Sequence, residues 1–132
     1  MTANKKSLRI LVVDDNRDAA DSLARVIRLW GHEVQTAYDR SAIEIAAALA
    51  PDVALLDIAM PGMDGPLMAQ QIREKASERP LLIAVTGFHD EDTRQRAQQA
   101  GFDEYLLKPV DLTTLGALLL KKQADGHPGP RA

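Results

Sequence analysis

Cysteine is absent from this chain of 132 residues, which removes disulfides, thiolate nucleophiles and zinc–thiolate sites at once. Aromatic side chains make up only 4%, so a core must come from aliphatic residues, and the chain is 45% hydrophobic. Excess positive charge is lacking too. The formal net charge is −3, so there is no global basic field to hold nucleic acid or anionic lipid. No apolar run approaches the roughly 20 residues that span a bilayer. The start, MTANKKSLRI, carries two lysines but no signal-peptide hydrophobic region. The expected location is the cytoplasm, with neither membrane nor nucleic acid as partner. Neither a P-loop nor a G-x-G-x-x-G fingerprint occurs. The length fits a single domain.

Five apolar runs alternate with five longer amphipathic segments. Leu8 to Val13, Val53 to Leu56 and Leu81 to Val85 are nearly continuous aliphatic runs, as strands covered on both faces are. EVQTA at 33–37 alternates polar and apolar and predicts a half-exposed edge strand. Tyr105 to Leu107 is the fifth and shortest strand candidate. Between them lie helix patterns. Asn16 is a candidate N-cap for Ala20, Leu23, Ala24, Ile27 and Trp30, with Gly31 as the stop. Ser41 and Glu44 have the spacing of a capping box before Ala42, Ile45, Ala46 and Leu49. Pro66 suits a first helical turn ahead of Met68, Ile72 and Ala76. Asp90 to Ala100 is the least apolar helix, and Asp111 can cap a last one carrying Leu112, Leu115 and Leu119. The tail ADGHPGPRA is rich in Gly and Pro and is expected to be disordered.

Such alternation predicts an α/β fold with right-handed crossovers, a doubly wound parallel sheet and helices on both faces. Five strands with a weak second one suit the order 2-1-3-4-5, with the site at the C-terminal edge of the sheet. The residues expected there are informative. Strand 1 ends in Asp14 and Asp15, strand 3 in Asp57, strand 4 in Thr86, and strand 5 in Lys108 followed by Pro109. Taken singly, each has a structural explanation: a cap, a turn, a strand residue, a surface charge. Taken together, they put three carboxylates, a hydroxyl and an ammonium on one edge. Close carboxylates repel unless something positive sits among them. Oxygen ligands without His or Cys favour a hard cation, and a few carboxylates with waters suit Mg²⁺.

The stretches LRILVVDDN at 8–16, LLDIAMPGMDG at 55–65, AVTG at 84–87 and YLLKPV at 105–110 make the chain resemble the receiver domain of bacterial two-component response regulators. The likeness runs from Leu8 to about Lys122. It implies a flavodoxin-like (β/α)5 receiver fold over residues 8–123, a short N-terminal extension at 1–7 and a flexible tail at 124–132. It also implies roles. Asp57 is the expected phosphoryl acceptor, and Asp15 a direct Mg²⁺ ligand. Asp14 is expected to act through a metal-bound water, and the Ala59 carbonyl to complete the protein ligands. Lys108 and Thr86 are expected to hold phosphoryl oxygens, with Thr86 and Tyr105 as the switch pair. The implied partner is a histidine kinase or phosphotransfer protein, and the implied product is a switch rather than a metabolic enzyme.

Ala59, two residues after Asp57, and Phe88, two after Thr86, depart from many receivers. Neither removes a phosphoryl ligand, so they bear on the lifetime of the phosphorylated state rather than on competence. His32, His89 and His127 are expected to be solvated, Met60 and Met63 to pack, and Trp30 to cover the end of the first helix. Rival readings fail on particular residues. A flavin carrier needs a Ser/Thr/Gly-rich loop where DDNRDAAD stands. A dehalogenase-type phosphatase needs D-x-D, and Asn16 occupies the second place. An EF-hand needs Gly and Glu where Ala19 and Arg25 stand. Within the resembled family, a stand-alone regulator and a receiver belonging to a hybrid kinase both fit. No effector domain is expected after Lys122.

Overall fold

The computed structural model describes residues 7–60, 62, 64–76, 78–88 and 90–125. The expected disorder of the tail from 126, and the readings of Met63, His89 and His127, lie outside them. Five strands and five helices alternate: β1 (Arg9–Val13), α1 (Arg17–Leu29), β2 (Glu33–Ala37), α2 (Ala42–Leu49), β3 (Val53–Asp57), α3 (Gly65–Lys75), β4 (Leu81–Thr86), α4 (Glu91–Gln99), β5 (Glu104–Leu107) and α5 (Leu112–Asp125). All neighbouring strands are parallel, in the order β2-β1-β3-β4-β5. The alternating β2 run is indeed at an edge.

The central strands are aliphatic on both sides because both sides are covered. Leu11, Val13, Leu56, Leu82 and Ala84 join α2, α3 and α4 in one core cluster. Ile10, Val12, Val53, Leu55, Ile83 and Val85 join α1 and α5 in the other. Each fully buried Leu or Ile contributes about 1.5–3 kcal/mol relative to exposure, so these two layers dominate the folding energy.

Local chemistry sets where the helices begin. Side-chain oxygens of Asn16, Asp64 and Asp90 accept the N–H of Ala19, Leu67 and Thr93, satisfying orphan donors at three N-termini. The expected capping box of α2 is not formed. Ser41 makes no cap bond; instead the Asp39 carboxylate accepts the Ser41 N–H at 2.9 Å. Asp39, bonding the backbone two residues on as an Asx turn does, thereby takes the N–H that a capping-box Glu44 would have accepted. In α5, Leu115 and Leu119 are buried as expected, whereas Leu112 is exposed, because it sits in the first turn where the helix meets solvent. Trp30 takes the C-cap of α1 but stays 40% exposed.

Two glycines are required, Gly65 by a close backbone approach and Gly101 by its positive φ. A Cβ at Gly65 would fall 2.7 Å from the Ile58 Cα, so only glycine lets α3 start tight against the end of β3. At Gly101, where φ is +99°, a Cβ would meet Arg73 Nη1 at 2.5 Å. Asp103, just beyond, accepts the Leu82 N–H and pairs with Arg79 at 2.6 Å and Arg73 at 3.6 Å, tying α3, β4 and the approach to β5 together.

Candidate functional site: an acidic pocket at the C-terminal sheet edge

Parallel pairing brings the ends of β1, β3, β4 and β5 side by side, and with them the residues that follow. Asp14, directly after β1, is held by its own backbone, whose N–H donates to the Ala37 carbonyl at 3.1 Å. Its Oδ1 accepts the Asn16 N–H at 2.9 Å, so the same aspartate opens α1. Asp57 ends β3, and its Oδ1 accepts the Ala59 N–H at 2.9 Å. Asp14 and Asp57 are both buried at 6% exposure, while Asp15 is exposed. Carboxylate oxygens of Asp14, Asp15 and Asp57 lie within 4.8 Å of one another. The sequence expectation that these three converge is met.

Lys108 joins them from β5. Its Nζ donates to Asp57 Oδ2 at 2.8 Å and to Asp14 Oδ2 at 3.1 Å. Burial alone would lower the Lys108 pKa, but its hydrogen bonds to Asp57 and then Asp14, with their charges, outweigh that and raise it. Lysine therefore stays an ammonium throughout the neutral range. Three carboxylates against one ammonium leave two negative charges uncompensated, which is the charge of a site suited to a divalent cation. All the donors are oxygens, which fits a hard ion.

Thr86 ends β4 fully buried. Its carbonyl accepts the Lys108 N–H at 2.8 Å, fixing the lysine's backbone beside β4. Its Oγ1 accepts the Phe88 N–H at 3.1 Å. The Phe88 carbonyl in turn accepts the Tyr105 hydroxyl at 2.9 Å. Tyr105, half-buried on the edge strand, is thus bound to the same peptide segment as Thr86. Burial, then the charge of Asp90, raises the Tyr105 pKa, so its hydroxyl remains a donor. Phe88 itself is 58% exposed.

Two expectations at individual residues need correcting or extending. His32 is buried, not solvated, because its Nδ1 accepts the Leu8 N–H at 3.1 Å where β1 begins. The role of the Phe88 backbone escaped the sequence reading, which weighed only its side chain. A peptide group carries no residue signature, so nothing in the letters could have shown it.

The acidic pocket thus lies at the C-terminal edge of a doubly wound sheet, where folds of this class place their sites. The family model described as "Response regulator receiver domain" matches residues 10–120, and the chain belongs to that family. It is similar to the response regulator MprA of Mycolicibacterium vanbaalenii, 36% identical over 130 residues, which are 95% of this chain and 56% of that protein. It is also similar to the transcriptional regulatory protein PrrA of Mycobacterium leprae, 38% identical over 118 residues, 89% of this chain and 50% of that one. The chain thus spans about half the length of these relatives.

Among solved structures, a CheY-like receiver domain protein from Methanospirillum hungatei superposes with a TM-score of 0.78 at 27% identity, covering 90% of this chain and 98% of that one. A Burkholderia pseudomallei response regulator, described with a phosphorylated aspartic acid, calcium ion and citrate, superposes at 0.78 with 25% identity, over 88% of this chain and 68% of that one. Residues 10–120 are therefore a receiver domain of the kind found in two-component signalling. No helix among its described residues is long and apolar enough to cross a membrane.

Proposed function

We propose that Asp57 accepts a phosphoryl group from a phosphohistidine of a histidine kinase or phosphotransfer protein. The observation that carries this is the pairing of Lys108 with both Asp57 and Asp14 inside a three-carboxylate cluster. An Asp57 carboxylate oxygen attacks phosphorus, the phosphorus–nitrogen bond to the imidazole breaks, and an acyl phosphate forms. Phosphoryl transfer asks a protein chiefly for positioning and charge stabilisation. Asp57 is held by the Ala59 N–H and by Lys108, whose ammonium follows the phosphoryl oxygens once the acyl phosphate forms. Mg²⁺, held by Asp15 and Asp57, by Asp14 through water, and by the Ala59 carbonyl, would supply further positive charge to those oxygens. The phosphorylated aspartic acid of the Burkholderia relative supports the reading.

Thr86 is then the residue that senses the new group. When its hydroxyl turns to a phosphoryl oxygen, the Phe88 N–H loses its acceptor, and the bond from Tyr105 to the same residue shifts with it. The signal passes to the face made by α4, β5 and α5. Dephosphorylation is assisted by the same site, with Ala59 and Phe88 bordering the approach of water. We assign residues 8–123 to the domain, with 1–7 as an extension and the C-terminal residues as a tail, although α5 itself runs to Asp125. The cytoplasm is the matching location.

Acetyl phosphate with Mg²⁺ should add one phosphoryl group to the wild-type chain, seen by intact mass, and none to Asp57→Asn. Lys108→Ala should be labelled about a hundredfold more slowly, the scale of losing one stabilising donor in the transition state. Equal labelling of wild type and Asp57→Asn would remove the assignment.

A further inference from the structure

Tyr38 follows β2 directly and is half-buried against the layer that includes Ala20 and Ala24 of α1. Three side chains engage it. Its hydroxyl donates to Asp21 Oδ1 at 2.6 Å and accepts from Thr36 Oγ1 at 3.1 Å. The Arg17 guanidinium lies over its ring, 4.3 Å from the centroid, where the negative face of the ring attracts a cation. Arg17 and Asp21 stand one helical turn apart on α1, the spacing at which opposite charges can pair. Instead Arg17 takes the ring and Asp21 the hydroxyl, and neither forms an ion pair among the described residues.

This clamp adjoins the acidic pocket through the backbone. The Asp14 N–H donates to the carbonyl of Ala37, the residue before Tyr38. The segment from Asp14 to Arg17 is thus tied at both ends to consecutive residues, Ala37 and Tyr38. Asp15 lies between the two ties. The carboxylates of Asp14 and Asp57 are each held by a peptide N–H and by Lys108. The Asp15 carboxylate makes no hydrogen bond or ion pair among the described residues. No polar partner therefore places its oxygens near those of Asp14 and Asp57; the course of its backbone does.

We propose that Tyr38 is a positioning residue of the metal site. By holding Arg17, it fixes the segment on which Asp15 stands, so that the carboxylate faces the cation before the cation arrives. This role rests on the reading of Asp14, Asp15 and Asp57 as the Mg²⁺ site. Ligand placement matters for this ion because Mg²⁺ demands near-ideal octahedral geometry. Two other accounts make different predictions. A clamp that serves folding alone would leave the affinity of the folded protein for Mg²⁺ unchanged. Charge alone would make Arg17 a hindrance, since a guanidinium near the site repels a cation.

The test is Mg²⁺ titration of the folded, unphosphorylated chain, followed through the amide shifts of Asp15 and Asn16, with urea titration of each variant beside it. Tyr38→Leu leaves every charge in place and should bind Mg²⁺ about tenfold more weakly, the lower end of the effect of residues that orient metal ligands. Tyr38→Phe gives up the bonds to Asp21 and Thr36, and so some stability. It keeps the ring beneath Arg17 and should bind Mg²⁺ within about twofold of wild type. Arg17→Gln, which leaves the tyrosine in place, should also weaken binding, whereas charge alone would tighten it. Unchanged affinity in Tyr38→Leu, an equal loss in Tyr38→Phe, or tighter binding in Arg17→Gln would overturn the role of Tyr38. An Asp15→Asn variant that binds Mg²⁺ as tightly as wild type would overturn the ligand set itself, and the role of Tyr38 with it.

Discussion

His32 stands between the end of α1 and the start of β2, where its Nδ1 accepts the Leu8 N–H. That bond requires an unprotonated Nδ1, and burial lowers the histidine's pKa from its ordinary 6.5. Because the folded pKa is depressed, the unfolded chain binds the proton more readily. The stabilisation is complete above the unfolded value and is lost as pH falls through it towards the folded one. We expect stability to urea to fall between pH 7 and pH 5 by no more than about 1.4 kcal/mol per pH unit from this one group. In His32→Asn, whose amide oxygen can accept the same N–H, that part of the slope should vanish. An unchanged slope would place the pH dependence elsewhere. The burial of His32 was not legible in the sequence, since a lone histidine between Gly31 and Glu33 interrupts no apolar pattern. The charged cluster of Asp14, Asp57 and Lys108 was legible, because ionisable groups are written in the residue letters.

Helix ends show a similar division. Asn16 and Asp111 precede their helices as the sequence predicts, and Asp90 caps α4. The end of α2 differs. Ala50 has φ 52° and ψ 64°, the left-handed conformation usually given to glycine, and its N–H donates to the Ala46 carbonyl at 2.8 Å. A Cβ in that conformation costs roughly 1 kcal/mol. Pro51 explains the stop but not the geometry, because proline ends a helix without prescribing how the chain leaves it. Ala50→Gly should therefore raise stability by up to about 1 kcal/mol in urea titration, with an unchanged slope. A loss of stability would show that the left-handed turn carries no strain worth relieving.

For the molecule as a whole, the unequal anchoring of the helices matters most. Ala20, Ala24 and Ile27 hold α1 in the core, and Ala42, Ala46 and Leu49 hold α2, whereas α4 buries only Ala97. Regions with few buried apolar contacts open most easily. Addition of beryllofluoride with Mg²⁺, a phosphoryl mimic at Asp57, should therefore change hydrogen exchange in α4 and around Tyr105 more than in α2. Changes confined to α2 would contradict the proposed route through Thr86, Phe88 and Tyr105. The sequence by itself determined the α/β class, the strand order and the identity of the pocket residues. Apolar runs, helical spacing and strand-end carboxylates are local or periodic signals, and a parallel sheet turns them into one edge. Only the tertiary structure decided that Phe88 links Thr86 to Tyr105, that His32 is enclosed, and that Arg17 lies over the Tyr38 ring. Those contacts join residues distant in sequence, or run through backbone groups common to every residue type, so packing alone selects them.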